Sequence, residues 1–317
     1  MTKKWIKAAA GAVLIILIFS IYKPQVWASK PNLHASSAVL LDMNTGKVMV
    51  NINGQSLMPT SSMAKLMTEL LILEDVRESR TTWGDPVTIS RYASSVGGMN
   101  LSLHEGDVLS VRDLFESVAV YSANDAAVAL AEHSAGTEAK FVRRMNEKAA
   151  ELKLVDGSYF ANASGLSPGE LGPYRPAEIQ GVTRLSAADT ARLASYLISN
   201  YPEVLKMSSQ PQLELSSRGL YLSNGNLMLP TLGGPYSYAG TDGLKTGYSF
   251  ESGYCFTGTA ERDGTRLVAV VMGASTRDER FNETRKLFDY GFAHTPSLKE
   301  RFMKWFDIEP ETKTSGA

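Results

Sequence analysis

Residues 59–73 of this 317-residue chain read PTSSMAKLMTELLIL. Leu66, Leu70 and Leu73 recur at helical spacing, which predicts a helix over residues 62–73 with one buried face. Pro59 lies just before the helix, and the hydroxyl of Thr60, Ser61 or Ser62 is expected to cap its first turn. The first turn of this helix therefore contains a serine and a lysine that are three residues apart, Ser62 and Lys65.

Short apolar runs rich in β-branched residues stand near both ends of the chain. Ser37–Asp42 and Lys47–Ile52 flank the turn-forming sequence Asn44-Thr45-Gly46, and this arrangement predicts a β-hairpin. The C-terminal third adds three runs, and the last two are joined by a second hairpin signal at residues 262–265. The predicted C-terminal strands are Leu244–Tyr248, Tyr254–Ala260 and Arg266–Gly273.

The middle of the chain has helical periodicity. Ser110 with Asp113 resembles a capping box, and Asp125 is expected to cap the next helix. Strands at both ends with helices between them predict an α+β fold. We expect one antiparallel sheet built from the N- and C-terminal strands, covered by helices, with an inserted, mostly helical lobe. The predicted helices span residues 110–121, 125–133, 137–154, 186–201 and 281–290.

The N-terminus has the three-part layout of a secretory signal. Three lysines precede an apolar run over residues 8–22, and Ala28 precedes the predicted cleavage site. A retained membrane anchor is the alternative, but the run of about 15 residues is shorter than the roughly 20 that a spanning helix needs. The sequence predicts a signal peptide at 1–28, one large folded domain at 29–295 and an exported protein. Its expected place is outside the cytoplasm, at the outer face of the cytoplasmic membrane or beyond it.

Residues 296–317 form a short tail with an amphipathic pattern. Two structures fit the pattern equally: a stub that associates peripherally with a membrane, and a last helix that packs on the domain. The apolar residues of the tail are Leu298, Phe302, Trp305 and Phe306.

Composition excludes several functional classes. Residues 1–28 contain four lysines and no acidic residue, so the remainder carries 28 basic and 33 acidic side chains. No basic stripe predicts nucleic-acid binding. The single cysteine, Cys255, rules out an intramolecular disulfide and lies in an apolar run, where we expect a buried, inert thiol. The four histidines have no metal-ligand spacing, so we expect neither a metal nor another cofactor.

The helix start at Ser62-Met63-Ala64-Lys65 has the first chemical signal. Residues three apart on a helix share a face, so the hydroxyl of Ser62 and the amine of Lys65 can meet. A serine is a weak nucleophile until a base removes its proton, and burial can make a lysine neutral enough to do so. The spacing alone is weak evidence, because Ser20–Lys23 repeats it inside the predicted signal peptide.

Two further motifs accompany it. Ser122-Ala123-Asn124 lies at a break between helices, where its side chains either face a cleft or only cap the helix. Lys245-Thr246-Gly247 lies on a predicted strand, which sends Lys245 and Gly247 to one face and Thr246 to the other. This strand either grips a carboxylate, with Gly247 permitting close approach of the ligand, or is an ordinary edge strand.

All three motifs together resemble the low-molecular-mass penicillin-binding proteins, the serine-type D-alanyl-D-alanine carboxypeptidases. The resemblance runs from about Ser37 to Phe292 and rests mainly on residues 59–68, 122–127 and 242–247. Residues 160–166 are similar to a fourth family stretch, less specifically. The resemblance implies peptidoglycan stem peptides ending in D-Ala-D-Ala as substrates and β-lactams as inhibitors.

The resemblance also implies a role for each residue of these motifs. Ser62 would be the acylated nucleophile, Lys65 its base, and Ser122 the relay of a proton to the departing amine. The substrate-binding residues would be Asn124 for the peptide backbone, Lys245 and Thr246 for the terminal carboxylate, Gly247 beside them, and the N–H groups of Ser62 and Tyr248 for the oxyanion. Tyr248 replaces a histidine that often follows the Lys-Thr-Gly triplet, so the side-chain substrate preference can differ.

Other activities fit the same motifs. A class A β-lactamase needs a Glu-x-x-Leu-Asn segment, and no such segment follows Asn124; Glu170 is followed by Leu-Gly-Pro. An endopeptidase that cuts D-amino-acid cross-links would use the same residues. A non-catalytic penicillin-binding sensor would have no need of an activated serine.

Overall fold

The computed structural model describes residues 30–155 and 157–295. The predicted signal peptide at 1–28 and the tail at 296–317, with its amphipathic pattern, lie outside the described residues. Both stay predictions. Within the described residues, no helix is both long enough and apolar enough to span a bilayer.

A five-stranded antiparallel sheet forms the centre of the fold. Its strands are β1 (Ser37–Asp42), β2 (Val48–Ile52), β3 (Thr241–Ser249), β4 (Gly253–Arg262) and β5 (Thr265–Ala274), in the order β2-β1-β5-β4-β3. Strands from the two ends of the chain meet where β1 pairs with β5. This pairing confirms the predicted sheet, and it leaves β3, which contains the Lys-Thr-Gly motif, at the edge.

Strand alternation divides the apolar residues of the sheet between two cores. Val268 and Val270 of β5 face one core, and Leu267 and Ala269 face the other. The sheet is therefore buried on both faces, as a layered α+β fold requires.

Seven α-helices are described. They are α1 (Lys65–Arg77), α2 (Val111–Glu116), α3 (Asn124–Ala135), α4 (Glu138–Glu151), α5 (Ala187–Asn200), α6 (Glu203–Ser208) and α7 (Arg277–His294). The first core contains residues of α1, α3 and α5, whereas α7 packs on the opposite face of the sheet. Three short two-stranded pairings complete the structure: Met58–Pro59 with Arg184–Leu185, Pro86–Thr88 with Val108–Ser110, and Gln212–Leu215 with Leu220–Ser223.

The predicted start of the first helix needs two corrections. A turn of 3₁₀ helix over Ser61–Ala64 precedes α1, and no side chain caps it. The Ser61 hydroxyl instead lies 3.0 Å from that of Ser252, because Ser61 adopts a left-handed conformation with φ 46°. The prediction of one buried face was also wrong. All residues from Lys65 to Asp75 are buried, since α3, α4 and α5 pack around α1.

The Ser122-Ala123-Asn124 motif lies at the break between two helices, as predicted. Ser110 accepts a hydrogen bond from the Asp113 N–H and caps α2. The prediction that Asp125 caps α3 was wrong, because Ala123 occupies the N-cap. The carboxylate of Asp125 instead accepts hydrogen bonds from the N–H groups of Leu101 and Leu103, and so ties the loop before α2 to α3.

The loop at residues 162–165 fixes the turn that contains Ser62. Asn162 Oδ1 accepts hydrogen bonds from the N–H groups of Ser164 and Gly165, and this loop packs on the carbonyl of Ser61. Gly165 has φ +78°, and a Cβ there would lie 2.0 Å from Ser61 O. Only glycine fits this close backbone approach.

We predict that Gly165→Ala lowers the free energy of unfolding by at least about 2 kcal/mol. An alanine here would be forced into the left-handed conformation of Gly165, and its Cβ would clash with the backbone. Urea denaturation measures the change. Gly169→Ala is the matched control in the following turn, where a Cβ meets nothing within 4 Å, and it should change stability by no more than about 0.5 kcal/mol. Equal effects of the two substitutions would contradict the packing argument.

Candidate active site

The 3₁₀ turn and the first residue of α1 bring the predicted nucleophile and base together. Lys65 Nζ lies 3.1 Å from Ser62 Oγ. Ser62 is half-buried, whereas the side chain of Lys65 is fully buried. The hydroxyl is thus accessible and the amine is shielded from water.

Two further contacts determine how the amine is oriented. Lys65 Nζ donates to Asn124 Oδ1 at 2.6 Å and to the carbonyl of Ser164 at 2.6 Å. Both oxygens can only accept. A neutral amine has two N–H groups and one lone pair, so these contacts use both N–H groups and leave the lone pair for the hydroxyl proton of Ser62. The geometry is that of a base directed at a nucleophile.

The surroundings favour the neutral form of this amine. Burial lowers the pKa of Lys65 well below its usual value, and the positive charge of Lys245 lowers it further. Glu69, Asp125 and Glu170 oppose these effects more weakly.

Asn124 lies in the site in a different role from the one that the resemblance implies. Its Oδ1 accepts from Lys65, and its Nδ2 donates to the carbonyl of Gly97 at 2.9 Å. Both ends of the carboxamide are therefore occupied by the protein, and Asn124 orients the base in this structure. A contact with the substrate backbone stays a prediction.

Ser122 ends the helical segment that follows α2. A π-helical turn over Ser117–Tyr121 terminates there, and Ser122 adopts a left-handed conformation with φ 71°. This conformation costs a serine on the order of 1–3 kcal/mol. Its buried Oγ has no hydrogen-bond partner among the described residues. A strained serine with an unused hydroxyl is typical of a functional position.

The edge strand β3 brings the third motif to the same site. Lys245 and Gly247 are buried, Thr246 is half-buried, and Tyr248 is 55% exposed, as the predicted alternation requires. Burial lowers the pKa of Lys245 to about 8, with Glu69 opposing this change and Arg280 adding to it.

Gly247 lies against the turn that contains Ser62. A Cβ at this position would lie 3.0 Å from the carbonyl of Thr60 and 3.4 Å from Met63 Cγ. The glycine therefore lets β3 approach this turn, a packing role that the sequence did not predict. The predicted close approach of a ligand at Gly247 stays a prediction.

Arg280 holds the peptide group that follows Gly247. Its guanidinium donates to the carbonyl of Gly247 at 3.2 Å. The C=O and N–H of a trans peptide point in opposite directions, so this hydrogen bond turns the N–H of Tyr248 away from α7. The side chain of Tyr248 stacks on Tyr254 with ring centroids 4.3 Å apart.

The sequence analysis missed Glu69 and Arg280. Glu69 lies one helical turn after Lys65, and this spacing is a signal that could have identified it. Arg280 lies on α7, 35 residues beyond Lys245, and no local pattern connects the two. Cys255 is buried and free, as expected. Among the described residues, no group of three or more His, Cys, Asp or Glu side chains is arranged to hold a metal ion.

Known proteins are similar to this chain in sequence and in fold. A family model described as D-alanyl-D-alanine carboxypeptidase matches residues 25–276. The D-alanyl-D-alanine carboxypeptidase DacF of Bacillus subtilis is 34% identical over 297 residues, which cover 90% of this chain and 71% of that protein. DacD of Escherichia coli is 35% identical over 268 residues, 82% of this chain and 64% of that protein. The chain thus spans about two thirds of the length of these relatives.

A solved structure agrees with these matches. Penicillin-binding protein D2 from Listeria monocytogenes, in its ampicillin-bound form, superimposes with a TM-score of 0.72 at 34% identity, covering 83% of this chain and 99% of that one. The fold, the three motifs in one site and the family match agree. This chain belongs to the D-alanyl-D-alanine carboxypeptidase family of low-molecular-mass penicillin-binding proteins.

Proposed function

We propose that this chain removes the terminal D-Ala from peptidoglycan stem peptides through an acyl-enzyme on Ser62. The observation that carries the proposal is the 3.1 Å contact between Lys65 Nζ and Ser62 Oγ, with Asn124 Oδ1 and the Ser164 carbonyl each 2.6 Å from the same nitrogen. Family membership supports the substrate class, because the relatives are named as D-alanyl-D-alanine carboxypeptidases.

The first half of the reaction forms an ester and releases D-Ala. Ser62 Oγ attacks the carbonyl carbon of the penultimate D-Ala while its proton passes to Lys65 Nζ. The N–H groups of Ser62 and Tyr248 stabilise the negative charge that develops on the carbonyl oxygen. The C–N bond then breaks, and the proton reaches the departing amine of the terminal D-Ala through Ser122 Oγ.

Recognition of the substrate end requires a cation. Lys245 and Thr246 on β3 bind the carboxylate of the terminal D-Ala, which places the scissile bond over Ser62. In the second half-reaction water attacks the ester carbonyl and gives a proton to Lys65. The ester C–O bond then breaks, the shortened peptide leaves with a new carboxyl group, and Lys65 returns the proton to Ser62 Oγ. A β-lactam carries a strained amide and a carboxylate in a similar arrangement, so it acylates the same serine and is released slowly.

The structure of Glu170 gives no support to a β-lactamase. Its carboxylate accepts hydrogen bonds from the N–H and hydroxyl of Ser167, at 3.1 Å and 2.6 Å, and so closes a capping box. The Glu170 carboxylate therefore caps the turn that begins at Ser167. We therefore retain the peptidase as the proposed function.

We also propose that the protein acts outside the cytoplasm, where its substrate lies. The predicted signal peptide at 1–28 supports export, and peripheral association of the tail with a membrane stays part of this proposal.

We predict that Ser62→Ala abolishes covalent labelling by fluorescent penicillin and D-Ala release from a diacyl-Lys-D-Ala-D-Ala peptide, because no acyl-enzyme can form. Gel fluorescence and a D-Ala assay measure the two effects. Ser61→Ala is the control, since its hydroxyl pairs with Ser252 instead of Lys65; this variant should keep both activities.

The same assay separates the competing functions. Slow loss of the penicillin label together with D-Ala release supports the carboxypeptidase. Rapid penicillin turnover without D-Ala release would indicate a β-lactamase, and labelling without any turnover would indicate a sensor. Labelling that survives Ser62→Ala would contradict the mechanism.

We predict a bell-shaped dependence of kcat/KM on pH for the peptide. The rate rises with pH as Lys65 loses its proton and becomes a base, and it falls above about pH 8 as Lys245 loses the charge that binds the carboxylate. A peptide that ends in D-Ala-amide has no carboxylate, so its profile should lack the alkaline limb. An alkaline limb of equal size for both peptides would contradict this role of Lys245.

A further inference from the structure

Glu69 is a buried carboxylate inside the site that the proposed reaction does not use. It lies on α1 four residues after Lys65 and is only 1% exposed. Side chains on a helix lean toward its N-terminus, so Glu69 leans toward Lys65. Its Oε1 is buried and accepts no hydrogen bond from any described residue.

The other acidic residues of α1 behave differently. Glu74 forms an ion pair with Lys148 at 3.0 Å, and Asp75 forms one with Arg144 at 2.6 Å. Such direct pairing is what a buried carboxylate needs when its role is structural. The unpaired Glu69 instead lies in the field of two amines, those of Lys245 and Lys65. Its surroundings therefore indicate an electrostatic role.

We propose that Glu69 is a positioning residue whose negative charge keeps Lys245 protonated for carboxylate binding while Lys65 stays neutral. This inference rests on the proposed function. Protonation of two neighbouring buried lysines costs much free energy, because the charges lose hydration and repel each other. One buried carboxylate can compensate the charge of one of them. We assign Lys65 as the neutral amine, because its Nζ lies 3.1 Å from Ser62 Oγ, whose proton it must accept, and because burial and the charge of Lys245 disfavour its protonated form.

The ionisation of these groups is consistent with this division. Burial raises the pKa of Glu69 to about 7, with Lys245 and Lys65 opposing the change. Glu69 is therefore ionised in the interval in which Lys245, with a pKa of about 8, loses its proton. The other charged groups that act on the two amines are Arg280 on Lys245, and Asp125 and Glu170 on Lys65. Arg280 favours loss of the proton from Lys245, so Glu69 is the group that opposes it.

Loss of the Glu69 charge should shift the pH profile. Without this charge, Lys245 loses its proton more easily, so the alkaline limb of the acylation rate should move to lower pH by about one unit or more. The acid limb should move the same way only above about pH 7, where Glu69 carries its charge. A substitution that only disturbs packing would lower the maximum and leave the two limbs in place.

The test measures second-order acylation by fluorescent penicillin, which carries a carboxylate, from about pH 5 to about pH 10. Glu69→Gln and Glu69→Met remove the charge at similar size, and both should shift the alkaline limb. Above the alkaline limb, the shift corresponds to a loss of about tenfold in rate. Glu69→Asp keeps the charge and should move the limbs back toward their original positions. Glu74→Gln removes a charge from the same helix outside the site and should not shift them.

Several outcomes would overturn the inference. Limbs that stay in place in the uncharged variants, or that move equally in Glu74→Gln, would show that Glu69 does not set the charge of the lysines. If the uncharged variants fail to fold, NMR of the unsubstituted protein with labelled glutamate and lysine decides. A carboxyl signal and a lysine signal must then titrate as a coupled pair near about pH 7–8, and their absence refutes the inference. Failure of the unsubstituted protein to acylate at all would refute the proposed function instead.

Discussion

The chemistry of this protein depends on one buried amine that donates to two carbonyl-type oxygens and faces one hydroxyl. Asn124 Oδ1 and the carbonyl of Ser164 take the two N–H groups of Lys65, and Ser62 Oγ lies 3.1 Å away on the remaining side. Burial favours the neutral form of this amine, because a charged amine there would lose its hydration. The surrounding structure serves to keep this amine dry and oriented.

Each part of the fold contributes to that arrangement. The 3₁₀ turn before α1 places Ser62 and Lys65 on one side, and Gly165 lets the loop that contributes the Ser164 carbonyl press on the turn. Gly247 likewise lets the edge strand β3 pack closely on this turn. The strand therefore brings Lys245 close enough for its charge to act on Lys65. Glycines at these two contacts act on catalysis through backbone packing, since a side chain at either position would separate the pieces of the site.

Electrostatics in the site involves more groups than the three motifs contain. In the proposed mechanism two buried lysines hold different charges, one as a base and one as a cation, and the inferred role of the buried Glu69 carboxylate is to resolve that conflict. Arg280 makes the edge strand more positive and also turns the Gly247 peptide. The proposed recognition of an anionic substrate end thus involves charges from the sheet, from α1 and from α7 together.

Local pattern in the sequence was enough to predict the α+β class, the five strands of the sheet and the three motifs, because alternation, helical spacing and turn residues are properties of neighbouring residues. The motifs also named Ser62, Lys65, Ser122 and Lys245 as site residues, and their roles stay predictions. Tertiary structure alone decided that Asn124 binds Lys65, that Gly247 contacts the Ser62 turn, and that Glu69 and Arg280 act on the lysines. Their partners lie far away in the chain or across a buried interface, and a charge or a close contact depends on distance in space, which no short-range pattern records.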